Sequence, residues 1–161
     1  LTSLPNRNLF YDRLEQAIAQ CARGENQVAL LFLDLDGFKA VNDQHGHDAG
    51  DALLREVASR IVGCVRDSDT VGRLGGDEFA VLLRTASRPE GAAAVAQKII
   101  EALAPPVQLA GYACRVGASV GIALHPDDGV NIDALLRSGD LAMYEAKRRG
   151  KNRWVCAGDL A

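Results

Sequence analysis

An unbroken run of six apolar residues, from Val28 to Leu33, constrains the fold more than any other part of this chain. A strand with one wet face alternates apolar and polar residues, so this run predicts a strand buried on both faces and central in its sheet. Asp34 and Asp36 follow, two residues apart, and lie on the same side if the strand continues. Carboxylates at the end of so apolar a strand are costly unless they are paired or have a function.

A hairpin is predicted where two glycines, Gly75 and Gly76, separate a β-prone run from a strongly apolar one. Gly-Gly suits a tight turn, because the turns favoured in hairpins need positive φ, which glycine adopts without steric cost. Asp77 and Glu78 follow at once, and the Gly-Gly-Asp-Glu tetrapeptide taken alone favours a solvated acidic loop tip. The predicted strands are Asp69 to Arg73 and Phe79 to Leu83.

The rest of the chain alternates between helical and strand patterns. Apolar residues at helical spacing predict helices over residues 6–22, 38–42, 48–65, 91–103 and 132–149. A break is predicted at residues 24–26, after the first helix, and a loop over residues 84–90. Further strands are predicted over 107–109, 113–124 and 154–156, the last at a sheet edge. Gly117 and Gly121 predict places where another backbone or a ligand comes close. Helices and hairpins in this mixed order favour an α+β fold over a doubly wound sheet.

Length, charge and cysteine usage bound the class of protein. The 161 residues predict one domain, residues 1–161, and the net charge of -3 argues against a general nucleic-acid-binding surface. The chain starts with Leu, so we expect a domain excised from a larger regulatory protein. Its four cysteines lack metal-binding spacing, which predicts reduced thiols. We expect a cytoplasmic domain, whether or not its parent protein is anchored to a membrane.

Four carboxylates are the candidate metal ligands: Asp34, Asp36, Asp77 and Glu78. Hard oxygen donors of this kind select Mg²⁺ or Mn²⁺ rather than zinc, and such an ion keeps room for substrate phosphates. No Walker A loop is present. The residues alone therefore indicate a metal-assisted reaction on a nucleoside triphosphate. The cations available for its phosphates are Lys147, Lys151, Arg66 and Arg73.

Five blocks of the chain resemble, in the same order, the signatures of the GGDEF-domain (diguanylate cyclase) family. They are Leu1 to Arg7, Asp34 to Asp51, Gly75 to Phe79, Ala118 to Ala123, and Asp140 to Arg153. Together they extend over essentially the whole chain without a large insertion. The resemblance implies a nucleotide-cyclase-like fold, related to ferredoxin-like and palm domains, with a central, mostly antiparallel sheet flanked by helices.

The resemblance also implies an activity: two GTP condense to cyclic di-GMP and two pyrophosphates, with one GTP held by each protomer of a homodimer. By position in the motifs, Asp34, the Leu35 carbonyl and Asp77 bind Mg²⁺ or Mn²⁺. Asp77 is also the implied catalytic proton acceptor, and Glu78 is the second acid. The implied substrate-binding residues are Asn42 and Asp51 for guanine, His47, and Lys39, Lys147 and Lys151 for phosphates.

A second site is implied by Arg66 and Asp69, which fit the family's R-x-x-D motif upstream of Gly75. In the family that motif binds the product, cyclic di-GMP, and inhibits the enzyme. Without the resemblance, an arginine and an aspartate three residues apart are interpreted as an ordinary surface ion pair.

Two other functions stay open. The first is a catalytically inactive GGDEF module that binds GTP or cyclic di-GMP and regulates a fused phosphodiesterase (EAL) domain. The run Ala123 to Gly129 resembles such fused examples, whereas the intact Gly75 to Phe79 favours catalysis, because degenerate modules usually lose these acids. The second is a dimerisation or scaffold domain, which predicts no binding of Mg-GTP.

Overall fold

The apolar run forms the middle strand of a five-stranded sheet. The computed structural model describes residues 2–21, 27–84 and 88–160. The strands are β1 (Val28–Asp36), β2 (Thr70–Gly75), β3 (Glu78–Leu83), β4 (Val107–Leu109), β5 (Tyr112–Cys114), β6 (Gly117–His125) and β7 (Arg153–Cys156). The sheet order is β2-β3-β1-β6-β7, and β4 and β5 pair separately. All neighbours are antiparallel except β6 and β7, which confirms the predicted α+β class.

Alternate side chains of β1 pack against different helices. These are α1 (Arg7–Cys21), α2 (Phe38–His45), α3 (His47–Val62), α4 (Pro89–Leu103) and α5 (Ile132–Arg148). Leu30 and Phe32 share a buried cluster with residues of α1 and α5, whereas Leu31 and Leu33 share one with residues of α3 and α4. Both faces of the sheet are therefore covered, which explains why the run contains no polar position.

The observed helix ends differ from the predicted ones by up to three residues. Helix α3 ends at Val62 rather than Val65, because residues 63–65 continue as a turn with bonds between residues three apart. The predicted loop over residues 84–90 was wrong at its end: α4 begins at Pro89, since proline suits the first helical turn. The predicted end of the first helix, its break at residues 24–26 and the loop residues 85–87 lie outside the described residues.

Two strand predictions were wrong in detail. The run 113–124 is divided between β5 and β6, and β6 starts at Gly117 because its partner strand β1 ends opposite, at Asp36. The hairpin turn consists of Gly76 and Asp77 rather than two glycines, because β2 continues to Gly75 through an irregular pairing. Both glycines do adopt positive φ, 149° and 53°, as the turn prediction required.

Helix α5 packs directly on β6, which places the C-terminal end of the helix at the edge of the sheet that carries Asp34. A Cβ atom on Gly121 would lie 2.1 Å from the Gly139 carbonyl oxygen and 2.4 Å from the Met143 nitrogen, so only glycine allows this approach. This confirms the predicted close approach. Within the described ranges, none of the helices combines the length and apolar character needed to cross a bilayer.

Candidate functional site

Asp34, near the end of β1, and Asp77, in the turn between β2 and β3, lie close together at one edge of the sheet. Asp34 is in register with Glu78, and the Leu35 N–H donates to the Asp77 carbonyl oxygen at 3.1 Å. Burial, followed by the charge of Asp34 and a hydrogen bond that a proton on Asp77 makes to it, raises the pKa of Asp77 from 3.8 to about 6. A rise of this kind is expected when two carboxylates share a small, partly buried volume.

Lys147 of α5 compensates only part of this negative charge. Its ammonium group donates a hydrogen bond to Asp34 Oδ2, and the Asp34 side chain is 14% exposed. Burial lowers the pKa of Lys147, but that bond and the charges of Asp34, Asp36 and Asp77 outweigh it, so the pKa is raised. Asp34 Oδ1 is buried and has no hydrogen-bond donor among the described residues. One buried carboxylate oxygen is therefore left for another ligand.

The donor set fits a divalent metal that keeps substrate and water ligands. Within the part of the chain that the structure describes, no three His, Cys, Asp or Glu side chains are grouped to hold a metal. Mg²⁺, however, is commonly bound through one or two carboxylates, with phosphates and waters in the other positions. The unsatisfied Oδ1 of Asp34 and the raised pKa of Asp77 both indicate negative charge that a cation would compensate.

Glu78 lies beside this pair, on the face of the sheet that carries the Asp34 side chain. Burial and the charge of Asp34 raise the pKa of Glu78, and Asp140 adds to the rise, whereas Arg7 and Lys147 oppose it. Sequence reasoning did not single out Arg7 or Asp140. They come from α1 and α5, and no local spacing links either of them to the hairpin.

Arg73 fixes the shape of the hairpin tip. Its Nε and Nη2 atoms both donate to the Gly76 carbonyl oxygen, at 3.1 and 2.9 Å. Because Leu35 binds the next carbonyl, that of Asp77, both peptide groups of Asp77 are held. Sequence reasoning treated Arg73 only as a nearby cation. The sequence signal for this contact was the position of Arg73, three residues before Gly76 and across a tight turn.

The candidate guanine-binding residues form a second cluster at the junction of α2 and α3. Gly50 lies so close to Asn42 that an added Cβ atom would be 1.8 Å from Asn42 Oδ1. That oxygen is buried and has no donor among the residues the structure describes. Asp51, the next residue after Gly50, is partly buried. A buried amide oxygen without a donor suits a ligand edge that presents an N–H group.

The other predicted substrate contacts are exposed side chains around these two clusters. Lys39 lies in the first turn of α2, His47 begins α3, and Lys151 follows α5. Between described residues, no hydrogen bond or ion pair joins these three side chains to the carboxylate pair. The structure therefore brings together Asp34, Asp77, Glu78 and Lys147, and leaves the exposed three unconnected to them.

Asp36 does not belong to the free donor set that the sequence suggested. Its Oδ1 accepts the Ser119 hydroxyl at 2.8 Å, and its Oδ2 accepts the Asn152 N–H at 2.8 Å. Both oxygens are engaged within the fold, because β6 and the segment after α5 converge on the end of β1. The alternation of the strand predicted the side on which Asp36 lies, but not these partners.

The Arg66–Asp69 turn lies at the opposite end of β2 from the hairpin tip. Asp69 accepts the backbone N–H groups of Arg66 and Arg84, at 3.1 and 2.9 Å, so its carboxylate stabilises the turn. The Arg66 side chain is exposed and lines a surface cavity of about 250 Å³. Other residues that line this cavity are Leu4, Arg13, Val62, Asp67, Asp69 and Val71.

Comparisons with known proteins identify the family to which the chain is similar. The family described as "Diguanylate cyclase, GGDEF domain" matches residues 1–153. The bifunctional diguanylate cyclase/cyclic di-GMP phosphodiesterase MucR of Pseudomonas aeruginosa is 53% identical over 152 residues. That match covers 94% of this chain but only 22% of MucR, so the chain spans about a fifth of that relative.

Solved structures share the fold over the full length. The crystal structure of the GGDEF domain of TpbB (YfiN) from Pseudomonas aeruginosa superposes with a TM-score of 0.95 at 43% identity, covering 100% of both chains. The GGDEF domain of DgcB from Caulobacter crescentus, crystallised in complex with c-di-GMP, has a TM-score of 0.91 at 29% identity, covering 98% of this chain and 94% of that one. With the family match over nearly all of its length, this chain belongs to the GGDEF domain family of diguanylate cyclases.

Proposed function

We propose that this domain condenses two molecules of GTP into cyclic di-GMP and two pyrophosphates. The observation that carries the proposal is the Asp34–Asp77 pair, which has a buried unsatisfied oxygen and Lys147 beside it. Family membership supports the same reaction class.

Different residues of the chain would bind the metal, the phosphates and the guanine base. The Asp34 and Asp77 carboxylates and the Leu35 carbonyl would hold Mg²⁺ or Mn²⁺, which, when bound, neutralises charge on the triphosphate and its leaving group. Asp77 accepts the proton of the attacking hydroxyl, and Glu78 is the second acid beside it. The phosphate contacts are Lys39, Lys147 and Lys151, and those to the base and sugar are Asn42, Asp51 and His47.

A homodimer is the expected active form. The described residues provide one carboxylate pair and one base-binding cluster per chain, and these suffice for a single GTP. Joining two GTP molecules then requires two sites that face each other, with each 3′-hydroxyl directed at the α-phosphate of the other nucleotide. Enforced dimerisation should therefore raise the activity of the isolated domain.

Product inhibition is proposed at the Arg66–Asp69 turn. Since the Asp69 carboxylate already accepts two backbone N–H groups, we assign the main contact with the anionic product to the exposed Arg66 side chain. A guanidinium group suits a phosphodiester because it offers two parallel donors. In support, the related domain of DgcB was crystallised with c-di-GMP.

A regulatory role is the second candidate function, and the match to the bifunctional protein MucR favours it. In that case the domain binds GTP or cyclic di-GMP without turnover and controls a fused phosphodiesterase domain. The intact Asp77 and Glu78 favour catalysis over this role.

One assay separates these functions. The 161-residue chain, alone and fused to a dimerising segment, is incubated with Mg²⁺ and GTP, and cyclic di-GMP is quantified by chromatography. We expect product from the wild type and none from Asp77→Ala, whose circular dichroism should match the wild type. Binding of GTP without product in the enforced dimer would favour the regulatory role, and no binding of Mg-GTP would favour a scaffold domain.

A further inference from the structure

Asp36 connects three parts of the chain that meet beside the candidate site. Its two oxygens accept the Ser119 hydroxyl at the start of β6 and the Asn152 N–H between α5 and β7, both at 2.8 Å. Ser119 is fully buried, and Asp36 is in register with Gly117. The bridge is therefore part of the sheet edge rather than a contact on a free surface, and the proposed reaction gives Asp36 no role.

The segment that Asp36 binds has an unusual backbone. Gly150, Lys151 and Asn152 have φ angles of 122°, 66° and 48°, and residues with a side chain seldom adopt this region. Its first part is a Schellman helix ending, in which the N–H groups of Gly150 and Lys151 donate to carbonyl oxygens of the last turn of α5, at 3.2 and 3.0 Å. The Schellman ending provides no acceptor for the N–H of the next residue, Asn152, and Asp36 is the group that accepts it.

The Asn152 side chain is held at the same place. A Cβ atom on Gly117 would lie 2.8 Å from Asn152 Oδ1, so the side chain occupies space that glycine leaves. The backbone of Asn152 is thus bonded to the end of β1, and its side chain lies against the start of β6. The preceding residue, Lys151, is held in the left-handed region while its side chain stays exposed.

We propose that Asp36 is a positioning residue, which ties the left-handed bend that carries Lys151 to the strand end that carries Asp34. The bond sets the direction from which the Lys151 ammonium group can approach a triphosphate held at the carboxylate pair. This inference rests on the proposed function, because the direction of Lys151 matters only if a triphosphate binds there. Asp36 itself touches no substrate atom in this arrangement.

Matched substitutions separate positioning from general support of the fold. Asp36→Ala removes both bonds. Asp36→Asn keeps an acceptor for the Asn152 N–H and can donate to the Ser119 hydroxyl, which also accepts. Asp12→Ala is the control, since Asp12 is an exposed acid on α1 that accepts a bond from the Gln16 side chain.

We expect Asp36→Ala to raise the KM for GTP roughly tenfold with a smaller change in kcat, and Asp36→Asn to stay within about threefold of the wild type. Both measurements use the enforced dimer. If the wild type binds Mg-GTP without forming product, the proposed activity fails, and the same comparison is made on the Kd for GTP. Equal effects of the alanine and asparagine variants on KM or Kd would overturn the positioning role.

A double-mutant cycle tests whether Asp36 acts through Lys151. In a Lys151→Met background, Asp36→Ala should change the KM for GTP by less than about twofold, because the group that it positions is gone. If the two substitutions instead change the KM for GTP by independent factors that multiply, Asp36 has a role unrelated to Lys151, and the proposal is rejected.

Amide hydrogen exchange supplies a test that needs neither GTP nor turnover. Asp36→Ala should speed the exchange of residues 150–153, whereas Asp36→Asn and Asp12→Ala should leave it close to the wild-type rate. Unchanged exchange in Asp36→Ala overturns the positioning role even if product is formed. Faster exchange in a protein that forms no product supports the anchoring of the bend and counts against the proposed function alone.

Discussion

The two ends of strand β2 carry acidic turns with opposite surroundings. At its start, Asp69 accepts the backbone N–H groups of Arg66 and Arg84, so its charge is compensated by backbone donors from the turn and from the residue after β3. After its end, Asp77 faces the Asp34 carboxylate, and the pKa of Asp77 rises to about 6. The same residue type stabilises the chain at one end and opposes its folding at the other.

This difference separates an acid with a structural role from one that is a candidate for a functional role. A carboxylate that accepts two N–H groups lowers the free energy of the folded state, and no ligand is needed to explain its presence. Two adjacent carboxylates with a buried unsatisfied oxygen raise that free energy, so a ligand that compensates them is expected. Substitutions at the two ends of β2 should therefore affect different properties.

The largest expected effect is the loss of activity in Asp34→Asn. Asparagine keeps the shape of the side chain but removes its negative charge. That charge would bind the metal, and it also pairs with the Lys147 ammonium group. Product formation should fall by roughly 10³-fold or more, about 4 kcal/mol in the activation barrier. The assay is chromatography of cyclic di-GMP at saturating Mg-GTP, with Asp12→Asn as the control. A loss smaller than about tenfold would contradict the proposed metal site.

The next effect is on stability, at the other end of β2. Asp69→Ala leaves the backbone N–H groups of Arg66 and Arg84 without their carboxylate acceptor. The free energy of unfolding, measured with urea, should fall by about 2 kcal/mol. The neighbouring Asp67→Ala is the matched control and should stay within about 0.5 kcal/mol of the wild type. Equal values for the two variants would remove the structural half of the comparison.

Arg66→Ala tests whether the same turn also binds product. The Arg66 side chain is exposed, so the variant should retain its stability to within about 0.5 kcal/mol. The cyclic di-GMP concentration for half-inhibition should rise about tenfold, because a charged hydrogen bond to a phosphate is lost. Arg137→Ala, which removes an exposed arginine of α5, is the control. Unchanged inhibition in the Arg66 variant would reject the product site.

Local patterns were sufficient to predict most of the fold. The uninterrupted apolar run identified β1 as the central strand, and Gly75 with Gly76 identified the hairpin. Burial on both faces and positive φ are requirements of a few consecutive residues, so the local sequence is enough to indicate them. The β5–β6 division escaped prediction, since it depends on where β1 ends on the neighbouring strand. Similarly, the turn moved by one residue because β2 accommodates an irregular pairing after Arg73.

In the candidate site, too, the sequence identified individual residues but not the contacts that depend on tertiary packing. The motifs named Asp34 and Asp77, and the strand register brings these two together. The influence of Arg7 on Glu78 could not be predicted, because α1 reaches the hairpin only through tertiary packing. Nor could the engagement of both Asp36 oxygens be foreseen, since Ser119 and Asn152 are distant in sequence. Residue type and spacing indicate which groups are chemically suitable, but only the packed fold shows which of them are already satisfied.

The smallest expected effect is a pH-dependent gain of stability in Asp77→Asn without metal. The pKa of Asp77 is about 6 in the folded state against an ordinary value of 3.8, so the folded state binds the proton more tightly. Wild-type stability from this group is therefore highest below about pH 4, falls as the pH rises towards 6 and is constant above it. Asparagine resembles the protonated form at every pH. Because the side chain is only partly buried and solvent screens its charge, we expect the variant to be more stable at pH 8 by about 1 kcal/mol.

The measurement is urea unfolding in the presence of a chelator at pH 4 and pH 8, with Asp12→Asn as the control for a lost surface charge. The gain of Asp77→Asn should be near zero at pH 4 and appear at pH 8. Adding Mg²⁺ at pH 8 should then stabilise the wild type and not the variant, because ligand binding to the folded state adds to its stability. A gain that is equal at both pH values would show that the repulsion between Asp34 and Asp77 is not its cause, and the contrast between the two ends of β2 would then rest on Asp69 alone.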